Sequence, residues 1–217
     1  MSATEVDSTP DKHTVTRDRI LAQSARLFAK DGYKATNLQH VAEKLDVTRQ
    51  ALYYYFRSKG DILAALFDTV MTRMEESIDQ VHPIDDEPRF KTMVRAHIEV
   101  IVENTDLVAV LLHERSEIAK LRSVPAPARR QAYSQQFIDA YREGVREGRL
   151  RPADPTIAVN AILAAANSIS AWYHSGSSEA PGPIGDFVAE ILLSGVTPEP
   201  GNGRGGKGKK AKKRRSS

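Results

Sequence analysis

The 217 residues are 41% hydrophobic and 27% charged, with no cysteine and one tryptophan, which is enough chain for one large or two small domains with a proper core. Zero cysteine excludes a disulfide scaffold, a thiolate zinc site and a cysteine nucleophile, and fits a reducing, cytoplasmic compartment. The net charge of +3 divides into +3 over residues 1–60, −8 over 61–200, and eight Lys/Arg without an acid over 201–217, so a polyanion should meet the ends and not the middle.

Residues 1–13 are polar and carry acids, reading as a disordered arm and not as a signal peptide. No apolar run nears the roughly 18 residues of a membrane span, so a membrane is not an expected partner. Strand-like alternation is nearly absent and helical spacing recurs throughout, which predicts an all-α fold of about nine helices without an internal repeat. The first helix spans about 16–31, with Ile20, Leu21, Ala25, Leu27 and Phe28 on one face and Gly32 as its stop. Thr36-x-x-Gln39 reads as a capping box ahead of Leu38, Val41, Ala42 and Leu45. Thr48 caps a short third helix, 49–56, and Ser58-x-x-Asp61 opens a fourth. That fourth helix carries a stripe from Ile62 to Val81 and is roughly 35 Å long, enough to link two lobes.

His82-Pro83 and Pro88 end it. Helices follow at about 88–104 and 106–120, then a seventh from the proline-rich break at 123–127 to about 147. Asp154-Pro155 starts an eighth, apolar or small nearly all round from 159 to 173, and a helix without a polar face must be buried on every side. After a loop at 176–185, Ile184, Phe187, Val188, Ile191 and Leu192 stripe a ninth. Residues 198–217 are too rich in Gly, Pro and Lys to build a core and read as a disordered basic tail, whose mobile cations suit sequence-independent attraction to DNA.

Two short helices joined by three residues around Asp46 make a helix-turn-helix over 37–56, and its second helix would enter a DNA major groove. At 100° per residue, Leu52 and Phe56 point inward while Arg49, Gln50, Tyr53 and Tyr54 share the opposite face. Gln can bond adenine bidentately, Arg can bond guanine or phosphate, and Tyr hydroxyls reach phosphates. Lys59 stands at a helix N-terminus, where backbone N–H groups and an ammonium together favour phosphate.

The ordered set Ile20-Leu21, Leu27-Phe28, Gly32-Tyr33, Thr36, Val41-Ala42, Val47, Leu52-Tyr53-Tyr54-Tyr55-Phe56, Ser58-Lys59 and Leu63 resembles the TetR-type bacterial transcriptional regulators over about residues 14–74. The resemblance implies an N-terminal three-helix DNA-binding domain (14–74), a divergent helical ligand-binding and dimerisation domain (75–197), and a homodimer joined through the last two helices. It also implies DNA contacts at Thr36, Thr48, Arg49, Gln50, Tyr53, Tyr54, Tyr55 and Lys59. Asp46 stands where the family usually has Gly, a turn position Asp tolerates. Gln50 replaces a usual small residue, so base preference does not transfer. The pattern Gly148-Arg149-Leu150-Arg151-Pro152-Ala153-Asp154, followed by Ala171-Trp172-Tyr173, is similar to regulators of lipid catabolism that respond to acyl-CoA thioesters.

The expected function is therefore a ligand-responsive regulator, a repressor that binds a palindromic double-stranded operator as a homodimer and is released by a small hydrophobic effector. Met71, Met74, Ile98, Ile101, Leu111 and Phe137 are candidates to line an apolar slot, with Tyr141 and Trp172 completing the set. Arg115, together with Arg122, Arg129 and Arg130, is placed to hold the phosphates of a CoA thioester outside it. Ile162, Ala166, Ile169, Phe187 and Ile191 are the candidate dimer interface, a four-helix arrangement. The alternative is a helical ligand-binding or scaffold protein with a vestigial DNA-binding head.

Catalysis is not expected. His113-Glu114-Arg115-Ser116-Glu117 lacks the second His of a zinc-protease helix, the six His show no metal spacing, and no Gly-x-Ser-x-Gly occurs. The glycines at 201–206 mimic a nucleotide loop without its strand, helix or Ser/Thr. No metal or cofactor is expected.

Overall fold

The computed structural model describes residues 16–81, 87–173 and 181–198. The expectations for the N-terminal arm, and for the tail beyond Pro198, lie outside them. Every regular element among the described residues is helical. The order is α1 (Arg17–Asp31), α2 (Leu38–Leu45), α3 (Arg49–Tyr55), α4 (Lys59–Asp79), α5 (Arg89–Glu103), α6 (Thr105–His113), α7 (Arg115–Lys120), α8 (Ala126–Arg146), α9 (Pro155–Asn167), α10 (Ile169–Trp172) and α11 (Pro181–Ser194).

Helices α1 to α3 close a small core of Ile20, Leu27, Phe28, Val41, Leu52 and Phe56. The N-terminal half of α4 joins it through Ile62, Leu63 and Leu66, and the rest of α4 continues into the larger bundle with Val70, Met71, Met74 and Ile78. At 1.5 Å per residue α4 is about 32 Å long. It begins in a true capping box: the Ser58 side chain accepts from Asp61 N, and the Asp61 carboxylate accepts from Ser58 N. In the bundle α5 packs against α4, α8, α9 and α11, and α8 packs along α9. The two parts also touch where α1 lies on α6 and α7 on α4.

Several local expectations are corrected. The cap of α2 is Asn37, whose Oδ1 accepts from His40 N at 2.9 Å, not the Thr36–Gln39 pair. Thr36 turns inward and Gln39 donates to Glu43. The sixth helix breaks at Glu114 (φ −92, ψ 22) into α6 and α7. The eighth breaks at Ser168, whose hydroxyl donates back to Ala165 O at 2.6 Å and loosens the turn. The loop expected to reach residue 185 ends earlier, because Pro181 and Pro183 occupy the first turn of α11, where a missing N–H costs nothing.

The apolar α9 is not buried all round. One face (Val159, Ile162, Leu163, Ala166, continued by Ile169 in α10) fills the chain's own core, and the other (Ile157, Ala161, Ala164) is exposed, Ile157 at 71%. Ile162, Ala166 and Ile169 are thus core residues, contrary to the interface expected of them. Phe187 and Ile191 on α11 do lie outside, 64% and 54% exposed.

Candidate DNA interface and effector cavity

The turn between α2 and α3 is made by Asp46 in the left-handed region (φ 56, ψ 48). Its N–H reaches Glu43 O, and Val47 N reaches Ala42 O at 3.1 Å. Thr48 then caps α3 by accepting from Ala51 N at 3.2 Å. This geometry leaves α3 anchored by Leu52 and Phe56, both buried, while Arg49, Gln50, Tyr53, Tyr54 and Tyr55 stay exposed, Tyr54 at 84%. The Arg49 guanidinium donates to the Tyr53 hydroxyl at 2.7 Å and lies 5.1 Å from that ring's centre. The Tyr54 and Tyr55 rings meet edge to face at 5.1 Å. The pairings orient two long side chains before any ligand arrives, which lowers the entropy cost of contact.

Thr36 and Lys59 differ from expectation. Thr36 is buried and its hydroxyl donates to Gly32 O at 2.9 Å, so it braces the turn after α1. The Lys59 ammonium, partly buried, folds back onto the protein and donates to the carbonyls of Tyr33 (2.5 Å), Thr36 (2.8 Å) and Lys34 (3.2 Å). It also lies 4.3 Å from the centre of the Tyr33 ring. All three of its donors are spent within the protein. Burial pulls its pKa below the ordinary lysine value, with Glu114 and Glu117 pulling the other way. No pattern within a window of sequence announces a contact made across 26 positions.

A cavity of about 350 Å³ lies in the bundle. Its apolar wall comes from Phe67, Val70, Met71 and Met74 of α4 and from Val108, Leu111 and Leu112 of α6. Its polar wall comes from His97 of α5, Tyr133 and Ser134 of α8, and Asn160 and Asn167 of α9, with Arg115 and Arg130 also bordering it. Of the expected lining residues, Met71, Met74, Leu111 and Arg115 are there. Ile98, Ile101 and Phe137 are not: they are wholly buried and pack into the solid core, Phe137 against the rings of Phe90, His97 and Tyr133. Tyr141 is also in that core, its hydroxyl donating to Arg151 O at 2.8 Å. Trp172 stands at the surface, 55% exposed, edge-on to Tyr173.

Charge at the cavity is one-sided. Arg130 stacks on the Phe67 ring at 4.9 Å, and its pKa is lowered by burial and then by the nearby charge of Arg115. Neither arginine has a carboxylate partner among the described residues. Arg129, expected beside them, is instead a clamp between α8 and α4, donating to Glu75, Thr72 and Asp68. His97 is fully buried; its Nδ1 lies 2.9 Å from the Tyr133 hydroxyl, and burial lowers its pKa to about 4. Burial likewise pushes the Tyr133 phenol far above its ordinary value, so both groups are neutral. Sequence reasoning missed His97, Tyr133 and Asn167. A histidine inside the apolar stripe of α5 was the available signal.

Residues 84–196 match the family model described as the tetracyclin repressor-like C-terminal domain, and residues 20–66 match that of bacterial regulatory proteins of the tetR family. The transcriptional repressor KstR2 of Mycolicibacterium smegmatis is 24% identical over 201 residues, 89% of this chain and 97% of that protein. The regulator TtgR of Pseudomonas putida is 29% identical over 119 residues, 52% of this chain and 56% of its own. The fold is that of the ketosteroid transcriptional regulator KstR2 of Mycobacterium tuberculosis (TM-score 0.72, 23% identity, 86% and 98% of the two chains). It is also that of AibR, solved with isovaleryl coenzyme A and operator DNA (TM-score 0.68, 22% identity, 84% and 98%).

Two measurements probe this geometry. Lys59→Met should lower stability by about 1–2 kcal/mol, read as an earlier urea midpoint, and leave the salt dependence of DNA binding unchanged. A phosphate contact would instead flatten the salt slope by about one. For His97, the unfolded chain takes up a proton below about pH 6.5 that the folded protein refuses until about pH 4. Its contribution is therefore full above pH 6.5 and is lost as pH falls through that window. Between about pH 7 and about pH 4.5 the wild type should lose about 2–3 kcal/mol that His97→Phe does not lose. Equal losses in the two proteins would contradict the buried, neutral imidazole.

Proposed function

The chain belongs to the tetR family of bacterial regulatory proteins, and on that premise we propose that it is a homodimeric repressor that reads a palindromic operator through α3 and leaves it when a small hydrophobic effector fills the cavity. The exposed face of α3 carries this reading: four chemically apt side chains, Arg49, Gln50, Tyr53 and Tyr54, project away from a helix pinned by Leu52 and Phe56. Thr48 and Tyr55 flank them. The vestigial-head alternative leaves this solvent-facing aromatic and cationic surface without a role. On this reading residues 14–74 bind DNA and residues 75–197 bind effector and partner.

The outer faces of α9 and α11 support the dimer. Ile157, Ala161, Ala164, Phe187 and Ile191 are apolar and exposed on two helices that pack side by side. Such a pair forms half of an isologous four-helix interface. The cavity supports the effector. At about 350 Å³ it suits an acyl group, with the nucleotide of a CoA thioester remaining outside. Arg115 and Arg130, with exposed Arg122 nearby in sequence, offer cations to its phosphates. An acyl-CoA is the effector class we favour, as the AibR complex contains one.

Release follows from connectivity. Helix α4 runs from the DNA-binding head to the cavity, and α6 lines the cavity while touching α1. Productive docking needs the two recognition helices about 34–36 Å apart, so a small displacement of α4 or α6 lowers affinity.

Operator sequences selected from random DNA should be palindromic, and isovaleryl-CoA or decanoyl-CoA should release them; selection of no sequence would refute the repressor reading. Gln50→Ala should relax preference at one position per half-site, at about 1–3 kcal/mol per lost bidentate contact. For the dimer, Phe187→Glu with Ile191→Glu should give a folded monomer by light scattering, with operator affinity lost. A double variant that stays dimeric would place the interface elsewhere.

A further inference from the structure

Three side-chain atoms among the described residues are buried without a hydrogen-bond partner: Ser24 Oγ, Thr92 Oγ1 and His97 Nε2. Only His97 also borders the cavity. The Asn167 side chain raises the imidazole's pKa against the larger opposing effect of burial, yet makes no hydrogen bond of acceptable geometry with Nε2.

Proton accounting identifies the orphan as a donor. If Nδ1–H donated to Tyr133, both the phenol proton and the Nε2 lone pair would lack partners. If the Tyr133 hydroxyl donates to Nδ1, only Nε2–H does. The second arrangement leaves one unmet group instead of two, and Tyr133 thereby sets the tautomer. The imidazole is neutral near pH 7, so Nε2–H is a donor without a charge.

We propose that His97 is the specificity-determining residue of the cavity, admitting effectors that carry a hydrogen-bond acceptor oxygen, such as a carbonyl, within their apolar body. The inference rests on the effector reading of this cavity above and narrows it. The apolar wall of Met71, Met74 and Leu111 faces any hydrocarbon chain indifferently and, being Met-rich, adapts to its shape. His97 does not adapt: it is held by Tyr133 on one side and by the Phe137 ring on the other. Nε2 itself is covered in this structure, so a ligand meets it only as the adaptable cavity wall gives way. A plain chain seated there leaves the donor unmet, whereas a chain with an oxygen at the right depth supplies the acceptor it lacks. A site built to make a hydrogen bond rejects a ligand that lacks the group.

The test is calorimetric titration of the full-length protein with matched pairs that share the same anionic end. One pair is decanoate against a set of oxodecanoates with the carbonyl moved along the chain; the other is the CoA thioesters of the same acids. At least one oxo compound should bind about tenfold or more tightly than its plain counterpart in whichever series binds. In His97→Phe the two should come within about twofold, with cooperative melting retained. The wild-type comparison stands whether or not the variant folds. No preference in the wild type, including no binding by any member, overturns the proposal, as does a preference that survives in folded His97→Phe. Preference without release of operator DNA would sink the repressor reading and leave the role of His97 intact. Release without preference would do the reverse.

Discussion

The ammonium of Lys59 holds the carbonyls of Tyr33, Lys34 and Thr36 in the turn between α1 and α2. The position of the recognition helix depends on that contact. An ammonium has three donors and no acceptor, and here each has a fixed backbone target, which determines where the first residue of α4 sits against the head. Thr36 completes the brace, its hydroxyl closing back on Gly32 O while its own carbonyl receives the lysine. Since only three residues separate α3 from α4, the orientation of Arg49, Gln50 and Tyr53 follows from the same brace. Downstream, the same helix supplies Phe67, Val70, Met71 and Met74 to the cavity wall without interruption. A regular helix transmits displacement along its axis, so head and cavity share one rigid element.

The opposite wall is organised by charge. Arg129 ties α8 to α4 through Asp68, Thr72 and Glu75, so the spacing of those helices is set by paired ions. One residue on, Arg130 has, among the described residues, the Phe67 ring and the repulsion of Arg115 but no carboxylate. Adjacent arginines thus have opposite fates, one bonded to the fold and one left at the cavity. Helix α7 stands between the two regions: Arg115 borders the cavity, while Glu117 and the neighbouring Glu114 act electrostatically on Lys59. Helix α7 therefore carries both a cavity arginine and a carboxylate, Glu117, that acts on the brace.

The local rules of helix formation read much of this chain correctly. Ser58 and Asp61, Thr48 and Asp154 cap where their chemistry says they should, Asp46 takes the left-handed turn, and the α3 wheel sorts Leu52 and Phe56 inward from the tyrosines. Each of those depends on neighbours within four positions. Lys59 went the other way because its partners lie 23 to 26 positions back, in a turn brought to it only when the helices pack, while Thr36 closes on Gly32 O, four positions away, in place of capping α2. The cavity was half visible for a related reason. Periodicity shows that Met71, Ile98 and Phe137 all face inward, but whether an inward face meets another side chain or a void depends on how three helices interlock. Ile98 and Phe137 met partners, and Met71 met space.

Helix α9 shows most clearly why apolarity alone underdetermines function. Its sequence offers hydrophobic groups in every direction, and the fold divides them: the branched side chains Val159, Ile162 and Leu163 go to the core, while the alanines Ala161 and Ala164, with Ile157, stay outside. Small residues on an outer face allow close approach of another helix, whereas large ones fill a fixed volume. Asn160 and Asn167 border the cavity, together with Leu163 from the core face and Ala164 from the outer one. One helix thus touches the core, the cavity and the surface proposed to meet a second copy. On that reading, a ligand seated against Asn167 and a partner seated against Ala161 press on the same short rod from different sides. The distance between the two DNA-binding heads and the occupancy of the cavity then become a single mechanical variable, without any long pathway of side chains between them.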